Sequence, residues 1–182
     1  GWDRQAPGFI ERRASGVDVG KVPNESTAGG RAVIEYNSGP LRLQASIFHQ
    51  DQHFDGFQNV TFDPSNLKGE LVQNLIFDTP EDNRNRFTLM NFTGEADLGF
   101  ASLLSSTSYY TGGFRAAEDT AELLRAFIGP TFPSTIVEDS QQKSFTEEVR
   151  LSSNRPVAGF DWIVRGFYSH GSSYRTDDLI VP

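Results

Sequence analysis

The sequence predicts an all-β protein: an antiparallel, up-and-down section of a transmembrane β-barrel. About seven strands are expected, with short periplasmic turns, long extracellular loops and one short helix in a loop. Three observations predict this. Residues 40–55 alternate, so that Leu41, Leu43, Ala45 and Ile47 share one face and Arg42, Gln44, Ser46, Phe48 and Gln50 the other. The apolar face then stops and continues as His49, Asp51, His53 and Asp55. At about 3.4 Å per residue, Leu41 to Ile47 covers roughly 20 Å, close to the ~25 Å lipid-facing band of an outer-membrane barrel. Lastly, the connections run short, long, short, long, short. Barrels keep that parity because their turns gather at one end and their loops at the other; a soluble sandwich has no reason to keep it.

Composition agrees. The chain has 182 residues, enough for a sizeable core, yet only 37% are hydrophobic and the mean hydropathy is −0.43. That is polar for a buried core and natural for a wall that is wet on one side. No apolar run reaches the length of a membrane-spanning helix, which says nothing about strands. The net charge of −8 excludes nucleic acid as an expected partner, because phosphate neutralisation needs clustered Lys and Arg. Absence of cysteine excludes disulfides and thiolate metal sites. The first residues carry no charged-then-apolar leader, and an internal piece of a longer chain is expected.

The elements follow in order. A weak strand is expected at 8–14. Strand 30–37, with Ala32, Ile34 and Tyr36 on one face, is joined to strand 40–50 by Asn37-Ser38-Gly39-Pro40, whose Gly is free to take φ > 0. A long connection, 51–84, carries turn signals at 63–66 and 78–82. Strand 86–97 places Met90, Phe92, Gly94 and Ala96 opposite Leu89, Asn91, Thr93 and Glu95. It turns at 97–99 into strand 100–111, whose two faces are too similar to assign. A second long connection, 112–143, holds a helix over 116–128, with Ala117, Ala121, Leu124 and Ile128 at helical spacing and Gly129-Pro130 as the stop. Strands 144–153 and 160–170 close the set. Phe145, Val149 and Leu151 oppose Thr146, Glu148 and Arg150; Phe160, Trp162, Val164 and Tyr168 oppose Asp161, Arg165 and Phe167.

Residues Asp97-Leu-Gly-Phe-Ala-Ser-Leu-Leu-Ser-Ser-Thr-Ser-Tyr-Tyr110 resemble a barrel strand of TonB-dependent outer-membrane receptors. So do Phe145-Thr-Glu-Glu-Val-Arg-Leu-Ser-Ser153 and Gly159-Phe-Asp-Trp-Ile-Val-Arg-Gly-Phe-Tyr-Ser169, and so does Gly29-Gly-Arg-Ala-Val-Ile-Glu-Tyr36 followed by 41–52. The resemblance covers about residues 8–175. It implies a barrel of about twenty-two strands whose lumen is plugged. It also implies active uptake of a scarce ligand, such as a ferric siderophore, cobalamin or an oligosaccharide, energised through the TonB complex. The plug domain, the TonB-contacting segment and a terminal strand ending in an aromatic residue have no counterpart in 1–182. The chain is therefore expected to be a partial barrel domain that cannot transport alone.

Functional candidates follow from the same alternation. Arg42, Glu148, Arg150, Asp161 and Arg165 are expected to face the lumen as an ion network. Glu147 falls on the face of Phe145 and Val149, which requires it to lie above the bilayer. Tyr36, Tyr109, Tyr110, Phe160, Trp162 and Tyr168 are expected in aromatic girdles at the membrane interfaces. His49, Asp51, His53 and Asp55 carry metal-ligand chemistry, but an extended strand brings at most two neighbours to one ion, so a polar rim is expected. His53, Asp55, Phe127 and Phe132 are loop candidates for ligand contact. The acidic loop carrying Asp63, Glu70, Asp78, Glu81 and Asp82 against Lys68 and Arg84 reads as a solvated surface. Three glycosylation-like triplets, at Asn24, Asn59 and Asn91, are short enough to arise by chance. No catalytic constellation is present, and neither enzymatic activity nor a cofactor is expected. Two other architectures share the pattern: a small closed outer-membrane barrel with a structural or adhesive role, and a soluble sandwich binding carbohydrate through its aromatics.

Overall fold

The computed structural model describes residues 1–60, 62, 63, 65, 68–129 and 131–181. Much of the 63–66 turn signal, Pro130 of the helix stop, Thr61 of the second triplet, and the Asp63 and Lys68 side chains lie outside the described residues. The elements are β1 (Trp2–Ala6), β2 (Ile10–Ala14), β3 (Val17–Val22), β4 (Asn24–Ser38), β5 (Leu41–Asp55), β6 (Phe62–Asp63), β7 (Lys68–Gly69), β8 (Val72–Leu75), β9 (Asp82–Asp97), β10 (Ala101–Asp119), α1 (Ala121–Ile128), β11 (Thr135–Ser153) and β12 (Ile163–Ile180). The protein is all-β. A seven-stranded antiparallel sheet in the order β1-β4-β5-β9-β10-β11-β12 makes up most of it, beside a three-stranded sheet β3-β2-β8 and the two-stranded β6-β7.

The long strands outrun their apolar alternation. β10 and β11 pair without a break from Ala101↔Ser153 to Asp119↔Thr135, and β11 and β12 from Ser152↔Ile163 to Thr135↔Ile180. Once two strands are in register the hydrogen-bond ladder continues through stretches that are polar on both faces, where alternation carries no signal. Residues 51–55, 112–119 and 135–143 are therefore strand rather than loop. The helix shortens for the same reason: 116–119 belong to β10, and α1 begins at Ala121. Gly129, at φ 84°, ends it. Residues 8–14 also differ from expectation. They form β2 outside the large sheet, antiparallel to β3 and parallel to β8; the seventh strand of the large sheet is β1.

The register sorts the large sheet into two faces. Ile34, Ala45, Phe92, Thr107, Glu147 and Tyr168 form one row of directly opposed residues. The row above holds Ala32, Ile47, Met90, Tyr109, Phe145 and His170, and those below hold Leu43, Val149, Leu103, Leu151 and Val164. No second layer covers this apolar face among the described residues: Ile34 is 73% exposed, Val164 64% and Phe92 47%. The small buried core sits mostly at the long-loop end, where Ile10, Val22, Ala116, Ala117, Ala121 and Val137 are buried.

The opposite face is mostly polar, with Val33, Leu89, Leu104 and Phe167 scattered on it, and it carries a ladder of rings. Trp2 packs tilted against Phe48 at 5.4 Å between centroids, Phe48 stacks on Phe87 at 5.4 Å, and Phe87 packs tilted against Tyr110 at 6.1 Å, crossing from β1 to β10. Such pairs contribute about 0.5–1.5 kcal/mol beyond area burial. Gly29 and Gly112 leave room for the outer rings. A Cβ at Gly29 would stand 2.8 Å from Trp2 Cε2 and 2.7 Å from the His49 carbonyl oxygen, and one at Gly112 would stand 2.8 Å from Tyr110 Cζ. Gly29→Val is expected to destabilise the fold by about 1–3 kcal/mol, as overpacking does. Gly166→Val, where a Cβ meets nothing within 4 Å, is the control. Chemical unfolding of both variants checks it; equal midpoints would remove the ladder from the account.

Candidate functional faces of the sheet

Arg42, Glu95, Leu104, Arg150 and Arg165 line up across five strands on the polar face, near the short turns. Glu35, Gln44, Thr93, Ser106 and Glu148 form the next row. Arg165 donates to Glu148 at 2.8 Å, and Arg42 pairs with Glu35 at 3.2 Å. These pairs are exposed and add little stability; what they do is fix charge on a water-facing surface. Arg150 stands directly opposite Arg165, a like-charge pairing that Glu148 on the same face offsets. A groove of about 450 Å³ opens here, lined by Arg42, Glu95, Ser102, Leu104 and Arg150. Four of the five expected charges thus share one face. Asp161 does not join them, because β12 starts at Ile163 and Asp161 lies in the preceding turn.

On the apolar face a groove of about 470 Å³ runs over Ile34, Ala45, Ile47, Met90, Phe92 and Tyr109. Glu147 lies within this face rather than above it, in the row of Phe92 and Tyr168. Ser105 Oγ donates to its carboxylate at 2.8 Å, and the Thr107 hydroxyl donates to the other oxygen. Two charge-assisted hydrogen bonds from the neighbouring strand β10 offset part of its desolvation, so the register tolerates a carboxylate at this height. Of the girdle candidates, Tyr36 and Tyr168 lie inside the apolar band and Tyr109 in its top row. Phe160 and Trp162 lie in the short turn before β12. Tyr110 is on the other face, in the ring ladder.

The polar rim of β5 is matched by β9. His49 Nδ1 is 2.8 Å from Thr88 Oγ1, Arg84 is bonded to the Asp51 carboxylate, and His53 is 3.2 Å from Asp82. Asp55 accepts from the Asn24 backbone and side chain at 2.5 and 3.0 Å. The Arg84 guanidinium holds the Asp51 carboxyl below the usual carboxylate range. Each candidate ligand has its own partner on a neighbouring strand, and among the described residues no three His, Cys, Asp or Glu groups gather to hold a metal.

At the long-loop end, Phe127 is 79% exposed on α1, and Phe132 is half-buried. A buried polar cluster joins the small sheet to the large one. Arg12 lies 3.4 Å from Glu81 Oε2 and donates to the Thr79 carbonyl at 2.5 Å. Glu81 Oε1 accepts from the Asp119 N–H at 3.1 Å, and Asn83 Oδ1 from the Ala117 N–H at 3.1 Å. Burial pushes the Glu81 carboxyl up, ahead of the opposing pull of its hydrogen bonds and of Arg12. Sequence reasoning missed this cluster and the ring ladder. A signal for Arg12 exists, since it alternates between Ile10 and Ala14, both buried. Trp2, Phe48, Phe87 and Tyr110 are far apart in sequence, and only the register unites them. Comparison with protein-family models, with curated proteins and with solved structures found no match to this chain.

Proposed function

We propose that the chain is a stretch of wall from an outer-membrane active-transport receptor of the TonB-dependent kind, taking up a scarce ligand such as a ferric siderophore. The observation that carries this is the uncovered apolar face. An antiparallel sheet with one apolar band of finite height, tight turns at one end and long connections at the other suits a bilayer. The resemblance in 97–110, 145–153 and 159–169 supports the transport role. In this arrangement Ile34, Phe92 and Val149 meet outer-membrane lipid, while Arg42, Glu148, Arg150 and Arg165 line the lumen. Ligand and plug occupy the lumen side, and TonB acts through the plug of the parent protein. The open order of the sheet, with β1 and β12 as its edges, suits a wall section better than a small closed barrel.

Absence of cysteine makes the test clean. Single cysteines are placed at Phe92, on the apolar face, and at Glu95, on the polar face, in the protein reconstituted in phosphatidylcholine bilayers. A charged, water-soluble maleimide is expected to label Glu95→Cys and to leave Phe92→Cys unmodified until the protein is unfolded. Equal labelling at both positions would sink the proposal, and protection of Glu95→Cys alone would reverse the faces.

A further inference from the structure

We propose that the shallow cavity just above the apolar band, between Arg86 and Lys143, seats the phosphate of an anionic lipid headgroup. This rests on the apolar face meeting lipid. The cavity holds about 330 Å³ and is lined by His49, Arg86, Thr88, Thr111, Gly113 and Gln141. Lys143 stands beside it, directly opposite Thr111.

Height is the first argument. Ile47, Met90, Tyr109 and Phe145 make the top apolar row. Successive rows on one face are two residues apart, about 7 Å. The next rows hold His49, Thr88, Thr111 and Lys143, then Asp51, Arg86 and Gly113. Headgroup layers add roughly 5–8 Å to each side of the hydrocarbon, so a lipid phosphate reaches the level of Lys143, with Arg86 one row higher and within the length of its side chain, while its acyl chains lie along Met90 and Phe145.

Charge is the second. The chain carries a net −8, yet two cations at this height have no carboxylate within ion-pair distance among the described residues. The neighbouring cations are engaged: Arg84 by Asp51 and Arg115 by Asp139 at 2.9 Å. Asp51, directly opposite Arg86, has its oxygens hydrogen-bonded to Arg84 and acts on Arg86 only through space. Shape is the third. A Cβ at Gly113 would lie 3.7 Å from Arg86 Nε and 4.0 Å from its Cγ, ordinary contact distances, so the Arg86 stem lies against Gly113 of β10. Arg86 and Thr111 line the cavity and Lys143 stands opposite Thr111, a donor set suited to phosphate oxygens.

The test is spin-label electron paramagnetic resonance on the protein in phosphatidylcholine bilayers, with labelled phosphatidylglycerol or labelled phosphatidylcholine as the probe. The protein is expected to select phosphatidylglycerol. Arg86→Gln/Lys143→Gln is expected to weaken that selection by roughly tenfold to thirtyfold. Arg155→Gln, in the short turn at the other end of the sheet, is expected to leave it unchanged. Added inorganic phosphate is expected not to displace the lipid; displacement would overturn the lipid as the source. Equal selection by the parent and the double variant, or none by either, would overturn the site while motionally restricted phosphatidylcholine still reports a lipid-facing band. No restricted lipid of either kind would overturn the band itself, and the site with it.

Discussion

Phe92→Arg is expected to destabilise the bilayer-inserted protein by about 2–4 kcal/mol, the depth-dependent cost of arginine on the lipid face of a barrel. Phe92 stands inside the apolar band, opposed to Ala45 and Thr107, with no layer above it among the described residues. The guanidinium would have to remain in hydrocarbon or bend along the strand to the rim; Glu147, in the same row two strands away, is already held by Ser105 and Thr107. Thr93→Arg is the matched control. It moves the same charge by one residue, onto the face of Gln44 and Ser106, and an exposed polar surface accepts it within roughly 0.5 kcal/mol. Urea titration of both variants from phosphatidylcholine vesicles, followed by tryptophan fluorescence, reads the difference. Equal midpoints would mean that water reaches both faces, leaving the sheet outside any membrane.

Arg12→Ala is expected to cost about 3–5 kcal/mol, because it leaves Glu81 buried without its cation. Glu81 is 3% exposed and Arg12 6%, so water does not readily replace the lost partner. The effect should concentrate at the long-loop end, where Glu81 also ties down the β10 backbone through Asp119. The pH dependence has a definite sign. The folded Glu81 carboxyl titrates above its ordinary value of 4.5, so over that window the folded state binds more protons than the unfolded one. Stability from this group is therefore fully present below the unfolded value and falls as pH rises through the folded value. Arg12→Ala removes an interaction that lowers this pKa, so the fall should become larger and extend to higher pH. Glu81→Gln should abolish it. Unfolding midpoints of the three proteins at a series of pH values check this; a slope shared by all three would assign the titration to other groups.

Two kinds of signal decided what was legible. Alternation over 41–47, 90–96 and 145–151 depends only on the strand period of two, so strand identity, the two faces and the short turns at 37–40 and 97–99 could be read directly. So could four of the polar-face charges, since parity alone sets their side. Where both faces are polar, alternation says nothing, and the sequence placed loops over residues that the β10–β11–β12 ladder holds as strand. At 116–119, apolar spacing suited a helix and a strand alike, and pairing with β11 decided for strand.

Register made the rest. Parity set Glu147 on the apolar face, but only its alignment with Ser105 and Thr107 supplied the donors that let it stay there at mid-height. Trp2, Phe48, Phe87 and Tyr110 come from four strands, and no local pattern links them. Arg12 meets Glu81 because β2 leaves the large sheet for a parallel partner, β8, far along the chain. The sequence by itself determined the all-β class, the faces and the rhythm of turns, because these follow from local periodicity and turn chemistry. The tertiary structure decided which distant side chains meet, because cross-strand neighbours depend on pairing between segments that no single stretch of sequence contains.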